Sequence, residues 1–185
     1  MAELEPLMVR YQQADPSAAA ALIQQVSPLL LGFFMSQSGT RADAEDLLQD
    51  TWLQIHRVRH TYRPGEPVLP WVYAIARHVK VDGYRRSQRI RSREQVMSPL
   101  PEVFRASNPH PSGTPAFDAM IAELPASQRE VLGMLKVSGM SLEEVARATG
   151  STVGSVKLKA HRAYAKLRSV LNRSTPLAKG GSNAV

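Results

Sequence analysis

Lys157, Lys159, Arg162, Lys166, Arg168 and the nearby Arg173 punctuate residues 153–173, a stretch with no acidic side chain. Cations at helical spacing neutralise backbone phosphates and donate to guanine edges. The residues before them read as a shorter helix and a turn. Ser141 and Glu144 stand at the spacing of a capping box, in which hydroxyl and carboxylate satisfy opposite free amides. Gly150 suits the left-handed geometry of a helix end. Ala146 and Gly150 are small enough for two helices to cross closely, with Val156 packed between them. Ser155, Lys157, Leu158, Lys159, His161 and Arg162 then face outward. Together these features predict a helix-turn-helix whose second helix enters a DNA major groove. The competing reading is a solvated basic helix. Coincidence of cap, turn and charge asymmetry favours DNA.

A second constellation lies upstream. Trp71, Tyr73, Arg77, His78, Lys80, Tyr84, Arg85, Arg86 and Arg89 follow one another on a single long helical pattern, and the preceding loop adds Tyr62 and Arg63. Rings beside cations suit single-stranded nucleic acid, because bases stack on the rings while cations hold the backbone. Trp71 and Tyr73 read equally well as core. A third group is acidic: Asp43, Glu45, Asp46 and Asp50. Asp46, Gln49, Asp50 and Leu53 share one i, i+3, i+4, i+7 row. Docking onto a basic or polar protein surface explains that row better than a carboxylate metal site does. His56 and His60 stand at i, i+4, but no third ligand accompanies them. No glycine-rich phosphate loop and no nucleophile elbow is found. We expect no catalytic residue, no metal and no cofactor.

These residues need helices to carry them. The chain has 185 residues, a formal net charge of +7 and no cysteine, so disulfides and thiolate metal sites are excluded and an anionic partner is favoured. Neither strand alternation nor a hairpin turn is evident, so the fold class is all-α. Five prolines within residues 98–115 interrupt the helical patterning. The expected organisation is two small helical domains, 1–95 and 116–173, joined by a linker at 96–115 and followed by a disordered tail at 174–185. Asp15-Pro16-Ser17 opens a helix running through Val26, with a second helix over Leu29–Ser36. A two-faced helix covers Ala44–Arg59, its core stripe being Ala44, Leu48, Trp52 and Ile55. A long helix starts at Trp71 after a loop holding Pro64, Gly65, Pro67 and Pro70. Another spans Ala126–Val137. No apolar run approaches the ~20 residues that span a bilayer, and the N-terminus lacks the order of a signal peptide. Membrane insertion is not expected and the cytoplasm is.

Three stretches resemble the sigma-70 family, specifically its compact extracytoplasmic-function (ECF) type. ADAEDLLQDTWLQIHR is similar to the family's core-binding helix, and PWVYAIARHVKVDGYRRSQR to its promoter-melting, −10 reading helix. LPASQREVLGMLKVSGMSLEEVARATGSTVGSVKLKAHRAYAKLR is similar to its −35 reading domain. The resemblance implies that Asp46, Gln49 and Asp50 clamp the largest subunit of core RNA polymerase. It places Tyr62, Arg63, Trp71, His78 and Asp82 around single-stranded −10 DNA and a flipped base, with Arg85, Arg86 and Arg89 on backbone or duplex upstream. It places Ser155, Lys157, Leu158, Lys159, His161 and Arg162 on the −35 duplex. A cognate anti-sigma factor is implied as a further partner. The sequence departs from the family pattern at His78, where Asn is common, and at Leu158, where a small polar residue is usual. The alternatives are a stand-alone helix-turn-helix regulator, a metal-dependent hydrolase built on the acidic helix and the histidines, and a sigma-like protein that binds core but has lost promoter recognition.

Overall fold

The computed structural model describes residues 4–37, 40–95 and 121–174. Those residues form seven α-helices and no strand. The expected linker at 96–115 lies outside them, as does the tail beyond Ser174.

Helix α1, Leu4–Gln12, is followed by a sharp turn at Ala14, whose φ is 63°. Asp15 caps the next helix, α2 (Pro16–Met35), accepting the backbone N–H groups of Ser17 at 2.8 Å and Ala18 at 3.2 Å. The Ser17 hydroxyl and the Arg10 guanidinium, together with those amides, hold the Asp15 carboxyl well below the usual carboxylate range. The expected break between Val26 and Leu29 does not occur, because α2 runs unbroken through Pro28. Proline removes one hydrogen bond of the ladder. The fully buried stripe Leu22, Val26, Leu30, Phe33 and Phe34 outweighs that loss. The continuous helix also overturns the expectation that no segment approaches bilayer-spanning length: it has 20 residues, and an 18-residue stretch of it has a mean hydropathy of 1.6. Burial of that stripe makes it the core helix of this fold.

Helix α3, Arg41–Val58, begins three residues earlier than the apolar stripe indicated, with Thr40 Oγ1 accepting the Asp43 N–H at 3.0 Å. Ala44, Thr51 and Ile55 are buried beneath it, and Trp52 Nε1 donates to Ser27 Oγ at 2.9 Å. A 3-10 turn over Arg59–Thr61 leads into the proline-rich loop. Helix α4, Val68–Gln95, starts earlier than Trp71 and absorbs Pro70 into its first turn, where a missing N–H has no partner to lose.

In the second half, α5 spans Ala126–Leu132 and widens into a π-helical turn over Gly133–Val137, closed by the Ser138 N–H on the Gly133 carbonyl at 3.2 Å. The single helix expected over Ala126–Val137 is therefore two kinds of turn. Helix α6, Leu142–Thr149, carries the capping box in full: Glu144 N–H to Ser141 Oγ at 3.1 Å and Ser141 N–H to Glu144 Oε2 at 2.7 Å. Gly150 ends it at φ 59°, and α7 follows over Val153–Ser174.

The described residues of both halves share one core. Phe33 and Phe34 of α2, Val72, Tyr73 and Ala76 of α4, and Met134, Met140 and Val145 of the second half belong to the same buried cluster. Tyr73 sits at its centre, edge-on to Phe33 at 5.1 Å between centroids and bonded through its hydroxyl to the Leu29 carbonyl at 3.2 Å and to Ser138 Oγ. Burial pushes its hydroxyl up to about 12, so it stays protonated at neutral pH, with the Ser138 bond opposing the shift. A smaller cluster, Leu124, Leu132 and Ala163 with Leu167, fastens α5 to α7.

The two glycines flanking the helix turn differ in what they require. Nothing lies within 4 Å of a Cβ added at Gly150, so Gly150→Ala carries only the left-handed backbone cost, about 1–2 kcal/mol. Gly154 is helical, and a Cβ added there meets only Thr152 Oγ1, at an ordinary contact distance of 4.0 Å. Gly154→Ala should raise stability by roughly 0.5–1 kcal/mol. Thermal or urea unfolding of the two variants checks the opposite signs.

Candidate nucleic-acid interface

The acidic row on α3 forms because its opposite face is committed to the core. Asp46, Gln49 and Asp50 are exposed, and Leu53 stands beside them 57% exposed. Asp43 and Glu45 belong to the helix start: Asp43 gives its amide to Thr40, and Glu45 pairs with Arg41 at 2.7 Å. What remains free of internal work is Asp46, Gln49, Asp50 and Leu53, a one-helix docking face with carboxylates around an apolar side chain.

The residues expected around single-stranded DNA divide between separate clefts. One, of about 280 Å³, is lined by Tyr62, Arg63, Trp71, Ala74 and, from the second half, Arg147. Tyr62 is only 2% exposed; its ring meets Trp71 edge-on at 5.6 Å, and its hydroxyl donates to the Glu66 carbonyl. Burial pushes that hydroxyl up from its ordinary value. Tyr62 is thus a wall of the cleft, and the exposed Arg63 and half-buried Trp71 are what a ligand would meet. Gln12 holds the loop from beneath, its Nε2 donating to the carbonyls of Arg59 at 2.7 Å and Tyr62 at 2.9 Å.

A second cleft, of about 360 Å³, runs between α3 and α4 and is lined by Asp50, Leu53, Arg57, His78, Asp82 and Arg86 among others. His78 Nδ1 lies 2.8 Å from the Ala74 carbonyl. A carbonyl only accepts, so Nδ1 carries a proton there and Nε2 faces outward as an acceptor when the ring is neutral. Asp82 and Arg85 are exposed and 3.9 Å apart. Tyr62 and Arg63 thus line the first of these clefts, and His78 and Asp82 line the second. Arg89 lies on α4, and its side chain is outside the described set.

On α7 the inward row is Val156, Ala160 and Ala163, all buried, which turns the other side to solvent. Lys157, His161 and Arg162 are exposed, Ser155 and Lys159 are half-buried, and Leu158 is 48% exposed between the lysines. Lys166 is engaged elsewhere, donating to the Glu123 carbonyl at 2.5 Å. Of the upstream aromatic and basic residues, Tyr73 is core, and Arg77 and Lys80 are turned to the second half. Arg77 Nε and Lys80 Nζ both reach Glu130 Oε1, at 2.9 and 3.3 Å. Sequence reasoning missed Glu130, Arg147 and Glu66. Arg147 pairs with Glu66 at 2.8 Å. The one available signal was an acid, Glu130, four residues before Met134 on a buried stripe. Among the described residues no group of three or more His, Cys, Asp or Glu side chains is placed to hold a metal ion. His56 Nδ1 lies 2.9 Å from the Tyr11 hydroxyl, so one nitrogen of that ring is already engaged.

Comparison with known proteins agrees with this layout. Residues 22–90 match the model of sigma-70 region 2, and residues 115–167 match that of sigma-70 region 4. The RNA polymerase sigma factor CarQ of Myxococcus xanthus is 33% identical over 89% of this chain and 95% of its own length. The ECF RNA polymerase sigma factor SigF of Caulobacter vibrioides is 30% identical over 92% of this chain and 95% of its own. Among solved structures, the sigma factor RpoE in complex with the anti-sigma factor NepR from Bartonella quintana superposes with a TM-score of 0.67 at 26% identity. That likeness covers 83% of this chain and 96% of that one.

Lys157 and Arg162 offer free charge on the outward side of α7, and each phosphate contact on B-DNA steepens the salt dependence of binding by about 0.9. Replacing both by alanine should weaken duplex binding and lower the slope of log K against log salt by about 1.8, measured by fluorescence anisotropy across a salt series.

Proposed function

Because this chain belongs to the sigma-70 family of RNA polymerase sigma factors, as an ECF-type member, we propose specific roles for its exposed surfaces. It is a promoter-specificity subunit and not an enzyme; the chemistry of RNA synthesis belongs to the polymerase core. In our reading Asp46, Gln49 and Asp50 dock on the core, with Leu53 as the apolar contact at their centre. The outward side of α7 reads the −35 duplex: Lys157, Lys159 and Arg162 meet phosphates or guanine edges, and Ser155, Leu158 and His161 meet the groove floor. Arg63 and Trp71 in one cleft, and His78, Asp82 and Arg86 in the other, handle the −10 strand once it is unpaired. Arg85 and Arg89 hold the backbone upstream of it. Two clefts suit two extruded or bent nucleotides better than one shared base pocket.

The observation that carries this reading is the order of surfaces along the chain. An acidic docking face is followed at once by a helix carrying polar clefts and cations, and then by a basic recognition helix. A stand-alone regulator has no use for the first of these. Work with core polymerase places the protein in the cytoplasm. The Bartonella quintana relative is bound by an anti-sigma factor, and its likeness over most of both chains supports a partner of that kind here.

In vitro transcription with core polymerase and a pool of genomic promoter fragments tests the assignment. Specific start sites should appear with the wild-type chain. Asp46→Ala/Gln49→Ala/Asp50→Ala should abolish them, while the isolated α7 interaction with duplex DNA persists. Transcripts that survive the triple substitution would remove the α3 face from the polymerase contact.

A further inference from the structure

The α4 cations Arg77 and Lys80 stand where a nucleic-acid-handling helix should use them, yet they are spent inside the molecule. Arg77, Lys80 and Tyr84 follow the i, i+3, i+7 row of α4, and Tyr84 at the end of that row is exposed. The row borders an open cleft of about 390 Å³ lined by Arg77, His78, Lys80, Asp82, Arg85 and Glu130. Every member but one belongs to α4. The exception, Glu130 of α5, is the acid that reaches Arg77 at 2.9 Å and Lys80 at 3.3 Å through the same oxygen. Arg77 Nη1 also donates to the Ala148 carbonyl at 3.2 Å, one of the last carbonyls of α6, where a helix end carries partial negative charge. The second half thus presents to these cations what a DNA backbone presents: an anionic oxygen with a second acceptor close by.

The arrangement that makes these contacts also excludes promoter binding by both halves. Elements centred about 25 base pairs apart are separated by roughly 85 Å along a duplex rising 3.4 Å per pair. Helix α7, with its 22 residues, is about 33 Å long. A chain whose α4 is packed directly against α5 and α6 cannot bring α4 to one element while α7 lies in the other. The halves must part, and parting frees Arg77 and Lys80. It also withdraws Arg147 from Glu66 and from the rim of the Tyr62–Trp71 cleft.

We propose that Arg77 and Lys80 are phosphate-binding residues for promoter DNA, and that Glu130 occupies them as an intramolecular stand-in for phosphate while the two halves are closed. The proposal rests on the sigma reading of α4 and adds to it a competition built into the chain: DNA and the second half claim the same two cations. Binding of the −10 strand and closure of the halves are therefore mutually exclusive, and promoter engagement is coupled to opening.

The test uses the full chain and a single-stranded −10 oligonucleotide taken from a promoter it transcribes, with affinity read by anisotropy over a salt series. Glu130→Gln should bind five- to tenfold tighter than wild type. Adding Arg77→Ala and Lys80→Ala to Glu130→Gln should abolish the gain and lower the salt slope by about 1.4, two contacts at roughly 0.7 each for a single strand. Unchanged affinity in a folded Glu130→Gln protein overturns the proposal, and so does a gain that survives removal of both cations. If Glu130→Gln does not fold, Glu130→Asp keeps the charge but shortens its reach. It should then show a smaller gain in the same direction, and no gain overturns the proposal. Failure of the sigma reading is separately visible, as absence of promoter-specific transcripts with the wild-type chain.

Discussion

A carboxylate with a tenth of its side-chain surface exposed must be compensated, and among the described residues the cations that compensate Glu130 are Arg77 and Lys80 of α4. Deleting one partner of a buried ion pair costs about 3–5 kcal/mol, because the remaining charge stays desolvated. Arg77 and Lys80 keep a quarter to a third of their side-chain surface in water, which reduces that cost here. The ion triad does not act alone. It caps an apolar junction in which Tyr73 meets Phe33, Ser138 and the Leu29 carbonyl, with Met134, Met140 and Val145 filling the far side. Much of the fold follows from that junction. It fixes α4 against α5 and α6, aligns the proline-rich loop under Arg147, and leaves Asp46, Gln49 and Asp50 of α3 and Lys157 and Arg162 of α7 exposed on outer faces.

The same junction explains which surfaces are functional. α3 and α7 each turn a buried row inward, and Asp46, Gln49, Asp50, Lys157 and Arg162 stand exposed on their outer sides with no internal partner among the described residues. On α4 the division fails. Its inner side serves the core through Val72, Tyr73 and Ala76, one flank serves the second half through Arg77 and Lys80, and the outer flank with His78, Asp82, Arg85 and Arg86 is open. A helix used on three sides is the element through which docking, strand handling and closure can influence one another.

Local signals were legible wherever they were self-contained. The Ser141–Glu144 box, Gly150, the Asp15 start of α2 and the packing position of Val156 depend on residues within about one turn of each other, and the structure has each in place. The family assignment was legible because three motifs occur in order. What the sequence could not reveal was decided by distant partners. Pro28 reads as a break, yet α2 continues because its buried stripe has the core on one side. Tyr73 reads as a stacking ring as readily as a core residue, and its neighbours Phe33 and Ser138, 40 and 65 positions away, settle it as core. Arg77 and Lys80 read as free cations because Glu130 lies some 50 residues downstream.

The account turns on the two DNA-reading halves being closed in the free chain and open on a promoter. With no native cysteine, dyes can be attached at two exposed positions outside every surface discussed, Ala42→Cys on α3 and Ala165→Cys on α7. Single-molecule energy transfer between them reads the separation directly. The free protein should give one high-transfer population, replaced by a low-transfer one when core polymerase and promoter DNA are added. A broad or low-transfer population in the free chain, or transfer unchanged in the promoter complex, would contradict the account.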